Sequence, residues 1–417
     1  MKLIFSILLL LPVFSFGQKD YAKTIIDTLC SDYYKGRGYV DQGDVRAADF
    51  IVNELKNIGV QPFKKRPFTQ EYDFKVNTFP YPIELVLGDD TLTPGADYLV
   101  NPISGTAQGE FDVVEVNKEN YKKIFSAINF KQMDPSQTTF AFNFIDCKNE
   151  DLLKEVNALS YKATQYFPVL TVTNKKQMYS VGRQQTTYPL ITIDSAAYSS
   201  VDKAQIKVTN KFIPKYTSKN VIGMIPGKKK RKYVVFSAHY DHLGMMGPDA
   251  MFPGANDNAS GVAMLLSLAK YYMANKPNYT IVFCFFSGEE AGLLGSKHFV
   301  SHPYFRLKKV KFVLNVDIMG GADDGITLVN SVKQIEAYDR MVAINDKMKL
   351  LDKVKKRGQT QNSDHYFFSQ MGVPAFFIYS MGSVKNYHDI YDTAENTPLN
   401  KFDEVQTLLQ EFVKGIK

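Results

Sequence analysis

Residues 285–296 read FFSGEEAGLLGS, and the apolar run IVFCFF leads into the two glutamates, Glu289 and Glu290. Adjacent carboxylates repel each other, so a pair placed at the mouth of a buried strand requires a partner of opposite charge. The run itself has no polar alternation, which marks a strand covered on both faces rather than one facing water. Neighbouring segments follow the same plan. NVIGMI, YVVFSAHY, VKFVLNVDIMG and VPAFFIYS read as strands. ASGVAMLLSLAKYYMAN, LLGSKHFVSHP and NKFDEVQTLLQEFVKGI read as helices between or after them. From about residue 216 to the end at 417 the expectation is therefore an α/β core. Three layers, α/β/α, would enclose a central mixed, mostly parallel sheet, with ligands at the carboxyl ends of its strands.

Upstream the pattern differs. Residues 85–215 carry short alternating segments, such as IELVLGDDTLTPG, FDVVEV and PVLTVTN, separated by Pro, Gly and Asn turns. These predict a smaller strand-rich inserted domain. Residues 18–84 include GRGYVDQGDVRAADFIVNELKNIGV, whose apolar positions fall near helical period with Gly59 as a stop. The first residues, MKLIFSILLLLPVFSFGQKD, have a basic start, an apolar core and small residues before Gln18. They read as a signal peptide over 1–17, which places the mature protein in the periplasm or outside the cell. No later stretch approaches about 18 continuous apolar residues, so no membrane span is expected in the mature chain.

The composition, 45% hydrophobic and 22% charged, is that of an ordinary globular protein. An odd cysteine count, Cys30, Cys147 and Cys284, excludes a disulfide scaffold, and Cys284 inside IVFCFF reads as a core residue. The net charge is +7, but the only dense basic run is GKKKRK, residues 227–232. Lying between two strand-like segments and lacking an aromatic platform, it reads as a solvated hairpin turn, and nucleic acid is not an expected partner.

All six histidines lie at or after His239, so imidazole chemistry belongs to the α/β part. Polar residues recur where its strands end. YVVFSAHYDH supplies His239 and Asp241, and GANDNASG places Asp257 in a tight loop before a helix. FFSGEE, FVLNVDIMGG and NYHDIYDT supply Glu289 and Glu290, Asp317, and His388. Any one of these is compatible with a cap or a hydrogen-bonded pair. Together, converging on one sheet edge, they would be too costly without a divalent cation. Imidazole and carboxylate without thiolate suit zinc, and manganese or cobalt fit the same donors. Five ligands exceed one tetrahedral ion with an open position, but suit two ions sharing a carboxylate.

SAHYDHLG, GANDNASGVAMLL, FSGEEAGLLGS, LNVDIMG, SDHYFF with GVPAFF, and YHDIYDT together resemble the co-catalytic di-zinc aminopeptidase family. This zinc exopeptidase family also includes glutaminyl cyclases and transferrin-receptor-like proteins. The resemblance covers roughly 220–400, with a weaker echo in GRGYVDQGDV, and the insertion is similar in placement to a protease-associated domain. It implies the three-layer zinc exopeptidase fold with two zinc ions per chain. His239 and Asp317 would hold one ion, Glu290 and His388 the other, and Asp257 would bridge them. Glu289 would be the general base, and Tyr387 a donor to the developing oxyanion. Asp241 would orient His239 through its other ring nitrogen. His242, Asp364 and His365 would stand behind the ligands or line the pocket, whereas His298 and His302 read as solvated side chains. The resemblance also implies a cis peptide between Asp257 and Asn258.

The expected activity is hydrolysis of peptides with a free N-terminus. A glutaminyl cyclase-like acyl transferase and a non-catalytic binding homologue are the rivals. The absence of Trp speaks against the first, and the intact ligand set against the second. Residue preference, and aminopeptidase against carboxypeptidase or dipeptidase action, stay open at this level. An acidic group in the pocket would suit a free amine, and a basic one a carboxylate.

Overall fold

The structure, a computed structural model, describes residues 15–127 and 133–416. Most of the signal segment expected over 1–17 therefore lies outside the described residues. The described chain opens with the helix Ser15–Leu29.

Among the described residues the larger sheet has nine strands. Its centre is Tyr279–Phe286, Lys229–His239, Val310–Val316 and Ala375–Met381 in that spatial order, all parallel. Lys211–Ile225 flanks this centre antiparallel on one side, and Gly325–Val329 does so on the other. The sheet is thus mixed, with a parallel heart. Alternate side chains of one strand feed two different cores, as the two-residue strand period requires. Ile281, Phe283 and Phe285 join the cluster formed with helices Ser15–Leu29, Gly43–Ile58, Ser260–Ala274 and Phe402–Lys414. Val282, Cys284 and Phe286 join Phe299 and Phe368, from helices Leu294–Ser301 and His365–Gln370, on the opposite face. This is the three-layer arrangement. Burial on both faces explains why these strands carry no polar alternation. Cys284 is fully buried, and all three cysteines are free thiols.

The basic run corrects one expectation. Lys229–Lys232 are the exposed start of the strand Lys229–His239, not a hairpin turn. The preceding strand, Lys211–Ile225, pairs with Tyr279–Phe286, which lies between the two. The connection between them is therefore a crossover. Solvated lysines suit it because the strand begins beyond the edge of the apolar core.

A second sheet of eight described strands lies within residues 84–208. Its middle strands, Ala107–Val116, Thr138–Asn143, Val169–Thr173 and Leu190–Asp194, are parallel. The helix Glu150–Ala163 packs against it through Val156 and Ala163. This insertion is therefore α/β in its own right. Its core continues into the larger unit. Leu85, Ile191 and Ile206 cluster with Met246 and Phe252 of the hairpin Gly244–Met246/Ala250–Phe252. No helix among the described residues is long and apolar enough to cross a membrane.

Candidate metal centre

The parallel strands end together, and the turns that follow them carry the candidate ligands. His239 closes its strand with the side chain 2% exposed. The neighbouring strand ends at Phe286, and Gly288 turns the chain with φ 63°. A Cβ there would lie 2.5 Å from the Tyr72 hydroxyl, so only glycine fits. The turn presents the main-chain N–H groups of Glu289 and Glu290 to the two oxygens of Asp241, at 3.2 and 3.4 Å. Tyr39 donates its hydroxyl to the same carboxylate at 2.7 Å. Asp241 thus holds the glutamate turn in place through its side chain. The sequence reading put this carboxylate on His239 Nδ1. The structure instead places the main-chain carbonyl of Asp241 there, at 3.1 Å, with the carboxylate at 3.9 Å. The side chain is drawn away by its three other donors.

Asp257 lies in the short turn before helix Ser260–Ala274, and the Asp257–Asn258 peptide is cis, as the resemblance implied. The turn is tethered from both sides. Asp392 accepts the N–H groups of Asn256 and Asp257 at 2.8 and 3.0 Å. The fully buried Arg37 donates to the carbonyls of Pro253 and Gly254 at 2.6 Å and of Tyr240 at 2.9 Å. A buried guanidinium is tolerable here because carbonyl oxygens take up its donors. Asp317 follows the strand Val310–Val316 and accepts from Ser363 Oγ at 3.3 Å. His388 comes from the loop after Ala375–Met381. The inserted domain holds it there: Tyr179 accepts from His388 Nδ1 at 3.0 Å and donates its N–H to the His388 carbonyl at 2.9 Å.

These elements bring all five expected ligands together. With Nδ1 of each imidazole facing a main-chain carbonyl, each Nε2 faces carboxylate oxygens. His239 Nε2 lies 3.3 Å from Asp257 Oδ1 and 3.3 Å from Asp317 Oδ1. His388 Nε2 lies 3.2 Å from Asp257 Oδ2 and 3.3 Å from Glu290 Oε2. Asp257 thus offers one oxygen to each group. Donors about 2.0 Å from a tetrahedral zinc sit about 3.3 Å from one another, so these separations fit such an ion. Two sets of donor atoms lie within 4.8 Å of one another: His239 with Asp257 and Glu290, and His239 with Glu289 and Asp317. Among the described residues, no Lys or Arg forms an ion pair with any of these side chains. A buried carboxylate cluster whose only cationic partners are imidazoles has donor chemistry that could hold a cation.

The charge balance points the same way. Burial and the neighbouring carboxylates push Glu289 well above the usual carboxylate range, although His239 opposes this. Burial also raises Asp317. For Asp257 burial is outweighed by hydrogen bonds from His239 and His388, which hold it well below that range. On His239 burial opposes the charge, but Asp317 and Glu289 drive its pKa well above the ordinary imidazole value. Behind these groups, His242 holds Glu290 Oε1 through Nδ1 at 2.8 Å. Asp364 is fully buried and raised to about 7 by that burial. His365, also buried, packs on the Phe377 ring and does not reach the donors. His298 and His302 stack on each other, with His298 also on Tyr72, away from the cavity.

A cavity of about 360 Å³ opens over the cluster and is lined in addition by Ile318, Arg357, Asn362, Phe377, Tyr379 and Tyr387. Tyr387 is 39% exposed, and its ring stacks on His388 at 4.0 Å. A larger groove of about 840 Å³, along Arg46, Lys211 and Lys215, contains none of the five donors. The chemistry therefore selects the smaller one. Sequence reasoning did not single out Arg37, Tyr39, Tyr179, Arg357 or Asp392. GRGY and YHDIYDT contain three of these, but nothing local marks Tyr179 or Arg357.

The tie between Tyr179 and His388 gives a prediction. The Tyr179 ring stacks on Phe252 at 4.5 Å, which fixes the main chain that faces the imidazole. Tyr179→Ala is expected to weaken metal binding at the His388 side about tenfold, the usual size of such an outer-contact effect. Titration with a chelating dye would read it. Unchanged affinity for every equivalent of metal would show that the insertion does not position His388.

Comparison with known proteins agrees with this geometry. Residues 220–413 match the model of peptidase family M28. A probable leucine aminopeptidase of Trichophyton verrucosum is 26% identical over 303 residues, covering 70% of this chain and 74% of its own. Aminopeptidase YwaD of Bacillus subtilis is 27% identical over 343 residues, covering 78% and 70%. The solved structure of a zinc aminopeptidase from Bacillus subtilis superposes with a TM-score of 0.68 at 20% identity, over 95% of each chain, and so shares the fold. The whole strand-end cluster, from His239 to His388, lies inside residues 220–413, the part of the chain that matches peptidase family M28.

Proposed function

We propose that this chain is an exported zinc-dependent aminopeptidase that works with two ions, held by His239 and Asp317, by Glu290 and His388, and bridged by Asp257. One observation carries the reading: the two oxygens of Asp257 face two different imidazole Nε2 atoms, at 3.3 and 3.2 Å. When bound, zinc would polarise the scissile carbonyl and make a water acidic near neutral pH. The protein's own groups do the rest. Glu289, within 4.8 Å of His239 and Asp317 donors and bound to neither, removes the proton from the attacking water. It then returns a proton to the leaving amine. Burial raises this carboxyl above the usual carboxylate range, which strengthens it as a proton acceptor. Tyr387 donates to the developing oxyanion from the cavity rim. Asp241 fixes the Glu289–Glu290 turn, so Glu290 would hold an ion while Glu289 stays free to move a proton.

A cavity of about 360 Å³ is at the small end for ligand sites and suits a terminal residue or a dipeptide better than the middle of a long chain. The names of the relatives favour the N-terminal end. Paired peptides with free and acetylated N-termini test this. Acetylation is expected to abolish cleavage. Equal cleavage of both would replace the aminopeptidase reading with another exopeptidase activity.

A further inference from the structure

We propose that Arg357 forms an anion subsite that reads a carboxylate of the substrate. That carboxylate is either an acidic side chain on the terminal residue or the free C-terminus of a dipeptide. The inference rests on the peptidase reading of the same cavity and adds a substrate class to it.

Among the described residues, Arg357 is the only Lys or Arg lining the cavity over the cluster. Its main chain is held on both sides. Its N–H donates to Leu328 O at 3.1 Å and Ser331 Oγ at 3.0 Å, and its carbonyl accepts from Ser331 Oγ at 3.2 Å. Ser331 is itself fully buried. The side chain therefore leaves from a fixed point, directly after the strand Val354–Lys356. Its guanidinium makes one hydrogen bond, from Nη1 to the Tyr379 hydroxyl at 3.2 Å, and Tyr379 lines the same cavity. Among the described residues it has no carboxylate partner within ion-pair distance. An arginine has five N–H donors in a planar fork, and most of these remain available.

The surrounding charges make this placement informative. Of the four carboxylates of the cavity, Asp257, Glu290 and Asp317 turn to imidazoles, and among the described residues none of the four pairs with Arg357. The guanidinium is therefore not there to neutralise the cluster. Two dications would balance those four carboxylates and leave Arg357 as the one uncompensated protein charge in the cavity. A fork of that kind accepts a carboxylate in two parallel hydrogen bonds. The lining offers no matching spare acid for a basic side chain, since each of its carboxylates belongs to the cluster. Ile318 and Phe377 supply the apolar wall along which the stem of such a substrate would lie.

Two substrate pairs test this on the full-length zinc-loaded protein, each differing in one carboxylate. Glutamyl- against glutaminyl-p-nitroanilide probes the side-chain source. Leu-Leu against Leu-Leu-amide probes the C-terminal source. In the wild type the carboxylate member of one pair is expected to have a kcat/KM about tenfold to a hundredfold higher, the range of a charged hydrogen bond. Arg357→Met should bring that ratio to about one, and Arg357→Lys, which keeps the charge but loses the fork, should leave an intermediate ratio. Because each ratio is taken within one preparation, partial misfolding cannot produce the change. Absence of discrimination in both pairs, or discrimination that survives in R357M, overturns the subsite. The peptidase reading is scored separately, by chelator-sensitive hydrolysis of leucyl-p-nitroanilide. If hydrolysis is absent, calorimetric binding of glutamate against glutamine, and of Leu-Leu against Leu-Leu-amide, to both proteins still decides. A preference for the carboxylate member of one pair that R357M loses supports the subsite alone, and equal binding within both pairs overturns it.

Discussion

Glu289→Gln should keep its full metal content and lose turnover by about a thousandfold, within the usual range for a general acid–base group. The substitution is nearly isosteric and leaves His239, Asp257, Glu290, Asp317 and His388 untouched. It also removes a carboxyl that burial holds well above its ordinary pKa, so the variant is expected to be no less stable than the wild type. Metal analysis, thermal melting and steady-state kinetics on one preparation separate the outcomes. Near wild-type turnover would place the base elsewhere. Loss of an equivalent of metal would make Glu289 a ligand, a distinction that matters because its oxygen shares a 4.8 Å neighbourhood with His239 and Asp317.

The second large effect belongs to Asp257→Asn. A carboxamide offers one oxygen and turns an N–H toward the second position, where Asp257 Oδ2 now lies 3.2 Å from His388 Nε2. One charge is also removed from a site that must neutralise two dications. Metal content should fall from two ions to one or fewer, and turnover by a thousandfold or more. The turn itself should survive, because Asp392 and Arg37 hold its main chain rather than the Asp257 side chain. Two bound ions with turnover near that of the wild type would remove Asp257 from the bridging role.

The parts of this site that can be read from sequence are those where a polar residue ends an apolar strand. His239, Glu289, Glu290 and Asp317 all follow runs buried on both faces, and a parallel sheet brings such ends to one edge. What could not be read is whatever reaches that edge from elsewhere in the chain. Tyr179 belongs to the insertion and acts through its main chain, which leaves no residue-type signal. Arg357 resembles any surface arginine until the fold places it in the same cavity as the cluster. The basic run at 228–232 misled for a related reason. Strand order is not sequence order, and the strand Tyr279–Phe286 lies between two segments that local pattern pairs as a hairpin. In the insertion the alternating segments were legible as strands. Their parallel pairing was not, because it depends on crossovers such as the helix Glu150–Ala163.

The central claim is that the five-donor cluster is a working two-metal centre, and metal stoichiometry measured beside peptide hydrolysis tests it most directly. The purified protein should carry two zinc ions per chain. Exhaustive chelation should abolish hydrolysis of leucyl-p-nitroanilide, and two equivalents of zinc should restore it. Full activity in protein shown to be free of zinc, manganese and cobalt would contradict the account.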